Sequence, residues 1–427
     1  MRAQSTKPAS YYDASANPWQ QRPSLRGEQR VDVAVLGGGL TGLSAALELA
    51  QSGYKVALLE AERVGWGASG RSGGQIIVGW GCEQAGLSCL LGSADVRRLF
   101  DWSQEAVALV HQRIADHGIE CDWRDGHVHV AIKPRHVGEL RRWQEELERD
   151  NQYATQWWDA DQLGQQLPSK RYLGGLYDRQ SGHLHPLNYT LGIAAAAVQA
   201  GVQIFERSTV RKISRGPVAA MHTDQGVLRA DTLILGGNAY LRGLAPELDQ
   251  RIMPVGTYIG ATAPLGEDRA LGLIGNDMAV ADLNWALDYF RLSADHRLLF
   301  GGRASYTGYQ PWALRRTMRK RMRAVYPQLA DVDFEYLWGG FVGVTMNRAP
   351  DFGRLGSNIY YAHGYSGHGM AVTGFAGRVI AEAIRGQHER LDTFGRIEHW
   401  PFPGGKVLRM PLLALAMTWY KLRDAIW

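Results

Sequence analysis

The sequence has few cysteines and no long apolar run, and both absences exclude classes of protein. Its 427 residues include 3 cysteines, Cys82, Cys89 and Cys121, without a CxxC pair. Disulfide frameworks and metal sites of the zinc type are therefore not expected. No stretch matches the roughly 20 apolar residues of a membrane-spanning helix, and residues 1–30 lack the pattern of a secretory signal. We expect a cytoplasmic protein.

A strong charge of one sign is also absent. The formal net charge is +5, with 21% charged residues. The densest basic segment, residues 315–323, alternates with Leu314, Met318, Met322 and Val325 at helical spacing, which is typical of a solvated helix face. We therefore expect no nucleic-acid partner. The hydrophobic content of 45% is that of a globular protein, and the length favours two domains.

Glycine is abundant, and its first cluster lies in "VAVLGGGLTGLSAALELAQSGYKVALLE". An apolar run leads into Gly37, Gly39 and Gly42 in GxGxxG spacing, and apolar residues then recur at helical spacing before a second apolar run. The first glycine permits the turn, the second lets backbone approach a pyrophosphate, and the third lets helix and strand pack closely. The stretch predicts a βαβ unit that binds a dinucleotide at its helix N-terminus.

The second apolar run ends on Glu60, eighteen residues after Gly42. A carboxylate at this position accepts hydrogen bonds from a ribose diol and repels a 2′-phosphate. NADP is therefore disfavoured, and FAD or NAD remain.

A second glycine-rich loop, "AERVGWGASGRSGGQ", follows directly. GxGxxG, the strand-ending Glu60 and this loop together resemble the superfamily of D-amino-acid oxidase and sarcosine oxidase, which are FAD-dependent amine oxidoreductases. The resemblance implies that the loop lies over the pyrophosphate and the flavin edge, with Ser69, Arg71 and Gly74 matching it. An arginine there would place a positive charge near phosphate.

Two later segments keep the resemblance. "GVQIFERSTVRKI" resembles a strand pair whose backbone, at Val210, meets the adenine, and "ADTLILGGNAYL" resembles a strand and turn that return to the cofactor. The cofactor-binding residues that the motifs and the resemblance assign are Gly37, Gly39, Leu40, Thr41, Gly42, Glu60, Ala61, Ala68, Ser69, Arg71, Ser72, Gly73, Gly74, Gln75, Val210, Gly237, Asn238, Gly364, Gly367, His368, Gly369 and Met370.

The last of these lie in "NIYYAHGYSGHGMAVTGFAGRVIAEAI", which predicts a strand, a glycine turn and a helix. No strand ending in an acid follows, so a second nucleotide site is disfavoured. The resemblance implies that this helix N-terminus points at the pyrimidine end of the flavin and stabilises negative charge there. His368 is the candidate catalytic residue; alternatively it caps the helix without touching a ring.

The predicted fold is α/β, with a Rossmann-like FAD-binding domain (residues 1–90, 184–249 and 334–427) and an interleaved, mainly antiparallel substrate domain (91–183 and 250–333). "ALDYFRLSADHRLLFGGR" predicts a hairpin with Asp295 and His296 near its turn. Arg291 could grip a substrate carboxylate or pair with an acid. Aromatic faces suit an amine, and the aromatic candidates for the substrate pocket are Tyr258, Trp285, Tyr289, Tyr306 and Trp338.

Within the superfamily, the sequence looks like the gamma-glutamylputrescine oxidase type, through "SYYDASANPW", "GWGASGRSGGQI", "GHLHPLNYTLG", "YFRLSADHRLLFGG" and "GYSGHGMAVTG". This implies oxidation of a primary amine by hydride transfer to flavin N5, with an aldehyde and H₂O₂ as products. No cysteine follows Cys121, so the FAD should be non-covalent. No lysine lies between Lys212 and Lys320, where related oxidases carry one that assists oxygen, so the acceptor stays open between O₂ and another.

Two other interpretations remain. One is an amine or amino-acid dehydrogenase that passes electrons to a membrane quinone. In "MPLLALAMTWYKLRDAIW", Leu412, Leu415, Trp419, Leu422 and Ile426 share one helical face, which would either cover the protein itself or contact a membrane surface. The other interpretation is a flavin-stabilised binding protein without turnover.

Overall fold

The computed structural model describes residues 10–82, 84–88, 91–284, 287–305 and 313–405. Its strands are β1 (Gly27–Leu36), β2 (Val56–Leu59), β3 (Gln75–Ile76), β4 (Arg124–Ala131), β5 (Gln156–Asp159), β6 (Gly174–His183), β7 (Gln203–Phe205), β8 (Lys212–Ser214), β9 (Ala219–His222), β10 (Gly226–Leu235), β11 (Met253–Thr262), β12 (Ala279–Asp282), β13 (Tyr289–Leu292), β14 (Leu298–Ser305), β15 (Phe334–Val344), β16 (Asp351–Leu355) and β17 (Ile359–His363). Its helices are α1 (Tyr11–Ala14), α2 (Leu40–Gln51), α3 (Gln84–Ser88), α4 (Ser93–His117), α5 (Pro134–Asn151), α6 (Ala160–Gln166), α7 (Pro186–Gln199), α8 (Pro246–Asp249), α9 (Glu267–Leu271), α10 (Leu314–Val325), α11 (Gly369–Ile384) and α12 (Glu389–Gly395).

The first sheet has a parallel core in the order β17-β10-β1-β2-β7. β16 adds antiparallel to β17, β9 to β10, and β8 to β9. Val33, Ala34 and Val35 of β1 are fully buried, as expected for a parallel strand covered on both faces. The predicted βαβ unit is therefore β1, α2 and β2. The segments β7 and β8, predicted as a strand pair, do not pair with each other.

Helices α2 and α11 lie side by side on this sheet. Ser44 donates to the carbonyl of Gly374 at 2.6 Å, and a Cβ at Gly377 would lie 2.6 Å from the backbone nitrogen of Ala45. The glycine therefore lets the two helices approach closely, which sets the N-terminus of α11 beside that of α2.

The second sheet has the order β15-β11-β14-β13-β12-β4-β6-β3, with β5 on β6. Among the described residues, its neighbouring strands are antiparallel except β12 and β4, which are parallel. On the outer face of this sheet, Phe290 and Phe300 belong to one apolar cluster with Met318 and Met322 of α10. The inner face carries Ile259 and Trp338, which share a cluster with α2 and α11. The inner face is therefore the one that meets the cofactor motifs.

The α/β fold and the hairpin are confirmed: β13 pairs antiparallel with β14, and His296 adopts a φ of 60° in the turn. The predicted helix face around residues 314–325 is α10, whose four apolar residues are buried. The sheets cross the predicted domain bounds, because β3 and β15 both belong to the second sheet.

Several predictions concern residues outside the described ranges, namely those on Cys89, Trp285, Tyr306 and the C-terminal segment. Among the helices that the described ranges contain, none combines the length and the apolar character needed to cross a bilayer.

Candidate active site

A cavity of about 410 Å³ lies at the carboxyl ends of β1, β2 and β10. Seven segments line it: the turn into α2, the end of β2, the second glycine loop, residues 209–211 before β8, the loop after β10, residues 342–343 of β15, and the turn into α11. Ligands of open α/β sheets bind outside the carboxyl ends of the strands. The cavity therefore lies where the first sheet should hold a nucleotide.

The turn from β1 into α2 can be built only from glycine. Gly37 has a φ of +106°, and a Cβ at Gly42 would lie 2.1 Å from the carbonyl oxygen of Gly37. Gly39 is the N-cap residue of α2 and has no side-chain cap. The first-turn N–H groups and the positive end of the helix dipole are thus presented to the cavity, which suits a pyrophosphate.

Glu60 ends β2 at the wall of the same cavity. Its two carboxylate oxygens accept from the backbone N–H of Gly38 at 2.7 Å and of Glu62 at 2.9 Å. Burial raises the pKa of Glu60, and these two N–H groups oppose the increase. The backbone therefore fixes the orientation of the carboxylate beside the glycine turn.

The second glycine loop is tied to both ends of the cavity. The Ser69 hydroxyl accepts from the N–H of Leu40 at 3.0 Å, which fastens the loop to α2. The Ser72 hydroxyl donates to the sulfur of Met370 at 2.9 Å, which fastens it to α11. Ser69, Ser72 and Met370 all line the cavity.

The turn into α11 closes the far end. Thr41 and Tyr365 share a hydrogen bond of 2.7 Å between their hydroxyl oxygens. Asn238, with a strained φ of 44°, accepts from the N–H of Gly364 at 3.1 Å. Strained backbone of this kind persists where surrounding contacts determine it, as at ligand sites.

The family model "DAO: FAD dependent oxidoreductase" matches residues 32–383. The chain belongs to this family. It is 41% identical over 419 residues to gamma-glutamylputrescine oxidoreductase of Escherichia coli, which covers 98% of both chains. It is 41% identical over 424 residues to a Haemophilus influenzae protein named probable oxidoreductase OrdL, which covers 97% of both. Glycine oxidase from Bacillus cereus superimposes with a TM-score of 0.72 at 19% identity, covering 85% of this chain and 98% of that one, which shows a shared fold.

The cavity of this FAD-dependent oxidoreductase fits the cofactor that its family implies. The glycine turn leaves room for a pyrophosphate, Glu60 stands where a ribose diol would donate, and both Val210 and Met370, predicted to border opposite ends of the cofactor, belong to the lining. Fifteen of the predicted cofactor residues line it: Gly37, Gly39, Leu40, Thr41, Glu60, Ala61, Ala68, Ser69, Ser72, Val210, Gly237, Asn238, Gly367, Gly369 and Met370.

The remaining predicted cofactor residues lie outside the lining: Gly42, Arg71, Gly73, Gly74, Gln75, Gly364 and His368. Gly42 acts by packing, as described. The guanidinium of Arg71 donates to the carbonyl of Trp66 at 2.7 Å, and its own carbonyl accepts from the indole of Trp338 at 3.1 Å. Arg71 therefore joins the loop to the second sheet, and these contacts do not place its charge at a phosphate.

His368 is the N-cap residue of the flavoenzyme's α11, but its side chain makes no cap hydrogen bond. Burial lowers the pKa of His368 to about 4, and the positive charge of Arg348 acts in the same direction. The imidazole is thus uncharged at neutral pH, beside the end of the cavity lined by Gly369 and Met370.

Sequence reasoning missed three aromatic residues that line the cavity, Trp66, Tyr240 and Tyr365. Trp66 and Tyr240 meet edge to face at 5.8 Å between ring centroids. Trp66 lies within the second glycine loop, and Tyr240 lies shortly after Gly236 and Gly237. An aromatic residue in or next to a glycine-rich turn was therefore the available signal.

The described aromatic candidates for the substrate pocket divide between the two faces of the second sheet. Tyr289 and Trp338 lie on the inner face, whereas Tyr258 packs in the outer cluster with Phe334. Side chains alternate along a strand, and Ile259 faces inward, so Tyr258 faces away from the cavity. The structure therefore does not bring Tyr258 to the predicted pocket.

Arg291 is also on the inner face but is only 4% exposed. Its guanidinium donates to the carbonyls of Gly73 at 2.7 Å, Leu184 at 2.8 Å and Leu292 at 2.9 Å, and to the hydroxyl of Tyr12 at 3.1 Å. These contacts make Arg291 a tie between β13 and the second glycine loop. They involve no acid, and they give the predicted grip on a substrate carboxylate no support.

Proposed function

We propose that this enzyme oxidises a primary amine of the gamma-glutamylated polyamine class, such as gamma-glutamylputrescine. The observation that carries the proposal is the 41% identity to the Escherichia coli gamma-glutamylputrescine oxidoreductase across 98% of both chains. Identity that extends over the full length includes the second sheet, which in this proposal supplies the substrate side. The substrate class therefore follows the relative rather than the distant glycine oxidase.

The residues of the cavity would hold the cofactor in a defined order. The first turn of α2 would donate N–H groups to a pyrophosphate, Glu60 would accept from a ribose diol, and the backbone at Val210 would border the adenine. The N-terminus of α11 would set its dipole beside the pyrimidine end of the flavin, with His368 at that end. FAD held there would supply the redox chemistry of the proposed reaction, in which a primary amine and O₂ give an imine, hydrolysed to an aldehyde, and H₂O₂.

The cofactor is held without a covalent bond in this proposal. Cys121 is 2% exposed, burial raises its pKa to about 12, and it does not line the cavity. A thiol in this state is a poor nucleophile. Binding therefore depends on the glycine turns, and mild denaturant followed by desalting should separate the yellow FAD from a colourless protein.

The test is anaerobic reduction of the purified holoenzyme. Gamma-glutamylputrescine, putrescine, sarcosine and a D-amino acid are mixed in turn with the enzyme, absorbance near the flavin band is followed, and air is then admitted. Bleaching by the conjugate alone, with rapid recovery in air, is the expected result. Bleaching that persists in air would make the enzyme a dehydrogenase with another acceptor, and no bleaching by any of the four would refute the proposed substrate class.

A further inference from the structure

A group of histidines lies on the inner face of the second sheet, with His127 and His183 buried and His129 half-buried. His127 and His129 are neighbours on β4, with ring centroids 4.4 Å apart, and His183 stands on the adjacent strand β6. His127 is fully buried, and neither of its ring nitrogens has a hydrogen-bond partner among the described residues. The Nδ1 atom of His183 is likewise unpartnered within the described part of the chain.

Strand alternation directs this histidine pair toward the cofactor. Val128 and Val130, which alternate with the histidines, pack in the outer cluster, so His127 and His129 face inward. Gln75 of the second glycine loop donates to the carbonyl of Val280 at 3.1 Å, and β12 is the strand beside β4. The histidine pair is therefore next to the loop predicted to cover the flavin edge.

The neighbouring strand carries only small side chains beside the pair. In register, His127 lies opposite Ala279 and His129 opposite Ala281, and Ala281 lies opposite Tyr289 on the far side. Strands are about 4.8 Å apart, so the backbones at His129 and Tyr289 are roughly 10 Å apart with one alanine between them. A Cβ at Gly301 would lie 2.1 Å from the Tyr289 ring, so this ring lies over Gly301, on the side away from Ala281. We call the strip of small side chains around Ala281 the trough.

Unpartnered nitrogens in a buried ring are costly, about 1–3 kcal/mol for each donor or acceptor left unmade. An apolar residue of similar volume would avoid this cost at no loss of packing. Buried polar groups of this kind indicate a ligand, a bound water or a catalytic role. The described residues hold no arrangement of three His, Cys, Asp or Glu side chains suited to a metal ion, which leaves a water molecule or an organic ligand as the partner.

The charges that face these histidines favour an uncharged ligand. Burial is the main cause that lowers the pKa of His129 to about 3. Burial also lowers the pKa values of His127 and His183 well below the usual range. The positive charge of Arg291 acts on His183 in the same direction. Arg348 faces His368, the fourth histidine of the group. Asp277, beside His183 at 3.7 Å, is paired with Arg124. An ammonium group would thus be surrounded by neutral imidazoles and by cations, and the carboxylate of Asp277 is already paired with Arg124.

We propose that His127 and His129 bind the amino group of the substrate in its uncharged form, accepting its N–H bonds through their ring nitrogens above the floor at Ala281. Hydride transfer from an amine requires the nitrogen lone pair, so a site that selects the neutral amine also selects the reactive one. The inference rests on the proposed function for the identity of the reaction, and its binding test is independent of turnover.

The test uses tert-butylamine, a primary amine with no hydrogen on the carbon that bears nitrogen, and the holoenzyme. Its dissociation constant is measured from the perturbation of the flavin absorption band. His127→Leu and His129→Gln are each expected to weaken binding at least about tenfold, the loss of one or two hydrogen bonds. The midpoint of thermal unfolding of His127→Leu should equal or exceed the wild-type value, because no protein hydrogen bond is lost. Substitution of a residue with only a structural role would not weaken ligand binding while leaving the unfolding midpoint unchanged or raised.

Two further variants bracket the site. Ala281→Val fills the trough beside His129 without substituting a histidine, and it should also weaken tert-butylamine binding. His222→Gln changes a histidine on β9 in the other sheet and should leave binding unchanged. In the wild type, affinity should improve about tenfold per pH unit between pH 7 and 9, as the neutral fraction of an amine with an alkylammonium pKa increases.

Unchanged affinity in both histidine variants would overturn the inference, as would a wild-type affinity independent of pH. If His127→Leu fails to fold, the decision passes to His129→Gln and Ala281→Val. A wild-type enzyme that is reduced by amines but does not bind tert-butylamine would refute this inference alone. Binding that depends on the histidines without reduction by any amine would refute the proposed reaction alone.

Discussion

The cofactor cavity is formed mainly by backbone, whereas the inner face of the second sheet is formed mainly by side chains. The cavity is mainly backbone: glycine turns, a helix N-terminus and a few short side chains such as Ser69. The inner face consists of side chains on strands, where His129, Ala281 and Tyr289 lie in one row across three neighbouring strands although they are far apart in sequence. Backbone sites depend on local conformation, and side-chain sites depend on strand register. Substitutions should therefore act differently in the two regions.

The sharpest way to break the cavity is to add atoms to its backbone turn. In Gly42→Val the new side chain would overlap the carbonyl oxygen of Gly37, only 2.1 Å from the Cβ position. We expect α2 to shift from β1 and the purified protein to lose its FAD, measured as the ratio of flavin to protein absorbance. Such overpacking costs about 1–3 kcal/mol or more.

Gly164 on α6 is the control, since nothing lies within 4 Å of its Cβ position. Gly164→Ala should retain full flavin and gain slightly in stability, because alanine favours a helix over glycine. A Gly42→Val protein with a full complement of FAD would show that the close approach of α2 to β1 is not what forms the site.

This contrast explains how much could be read from the sequence. The βαβ unit, the second glycine loop and the turn into α11 were all predicted, because each motif is contiguous and its conformation is local. The inner face was not. Tyr258 and Trp338 looked equivalent as aromatic residues, and only the pairing of Ile259 with Trp338 in β11 and β15 shows which of them faces the cavity.

The same limit applies to Arg291 and the histidines. Their residue types suggest several roles, and the choice depends on neighbours contributed by distant segments. Arg291 meets the carbonyls of Gly73 and Leu184, a contact that no local pattern encodes. His127 was missed because a histidine within an apolar strand carries no motif, and its alanine neighbour lies on another strand.

Arg291→Met tests whether side chains hold the inner face. It removes four hydrogen bonds from a buried guanidinium, so unfolding free energy should fall by about 2–4 kcal/mol, measured by chemical denaturation. Arg354→Met, at an exposed position on β16, should change stability little. If Arg291 instead gripped a substrate carboxylate, the variant would unfold like the wild type and show only a raised KM.

Asp351→Asn tests the hydrogen bonds that Asp351 makes to β17, the strand that leads into the turn at Gly364. Asp351 accepts from His363 at 2.9 Å and Tyr361 at 3.0 Å. Burial acts to raise its pKa, but the hydrogen bond and charge of His363 outweigh burial and lower the pKa to about 2. The variant should lose about 2 kcal/mol of stability at pH 7.

The pH dependence follows from the sign of this shift. Because the pKa of Asp351 is lower in the folded than in the unfolded protein, its stabilising contribution is present above the unfolded value near pH 4 and disappears as pH falls toward 2. The wild-type and variant denaturation midpoints should therefore converge below pH 4. Asp231→Asn, at an exposed ion pair with Arg30, should show no such convergence, and a constant gap for Asp351→Asn would contradict the linkage.

Glu60→Gln should have the smallest effect, and it returns the comparison to the cavity. The amide keeps one oxygen for the ribose diol but places an NH₂ group opposite the donor N–H of Gly38 or Glu62, whose contacts orient the carboxylate. FAD affinity of the reconstituted apoprotein should weaken about tenfold, since one charged acceptor becomes neutral while the glycine turn still binds the pyrophosphate. Glu62→Gln, an exposed residue of the same wall, is the matched control and should bind FAD as the wild type does. A loss as large as that of Gly42→Val would mean that this cavity depends on the Glu60 carboxylate as strongly as on its backbone, and the distinction between the two regions would fail.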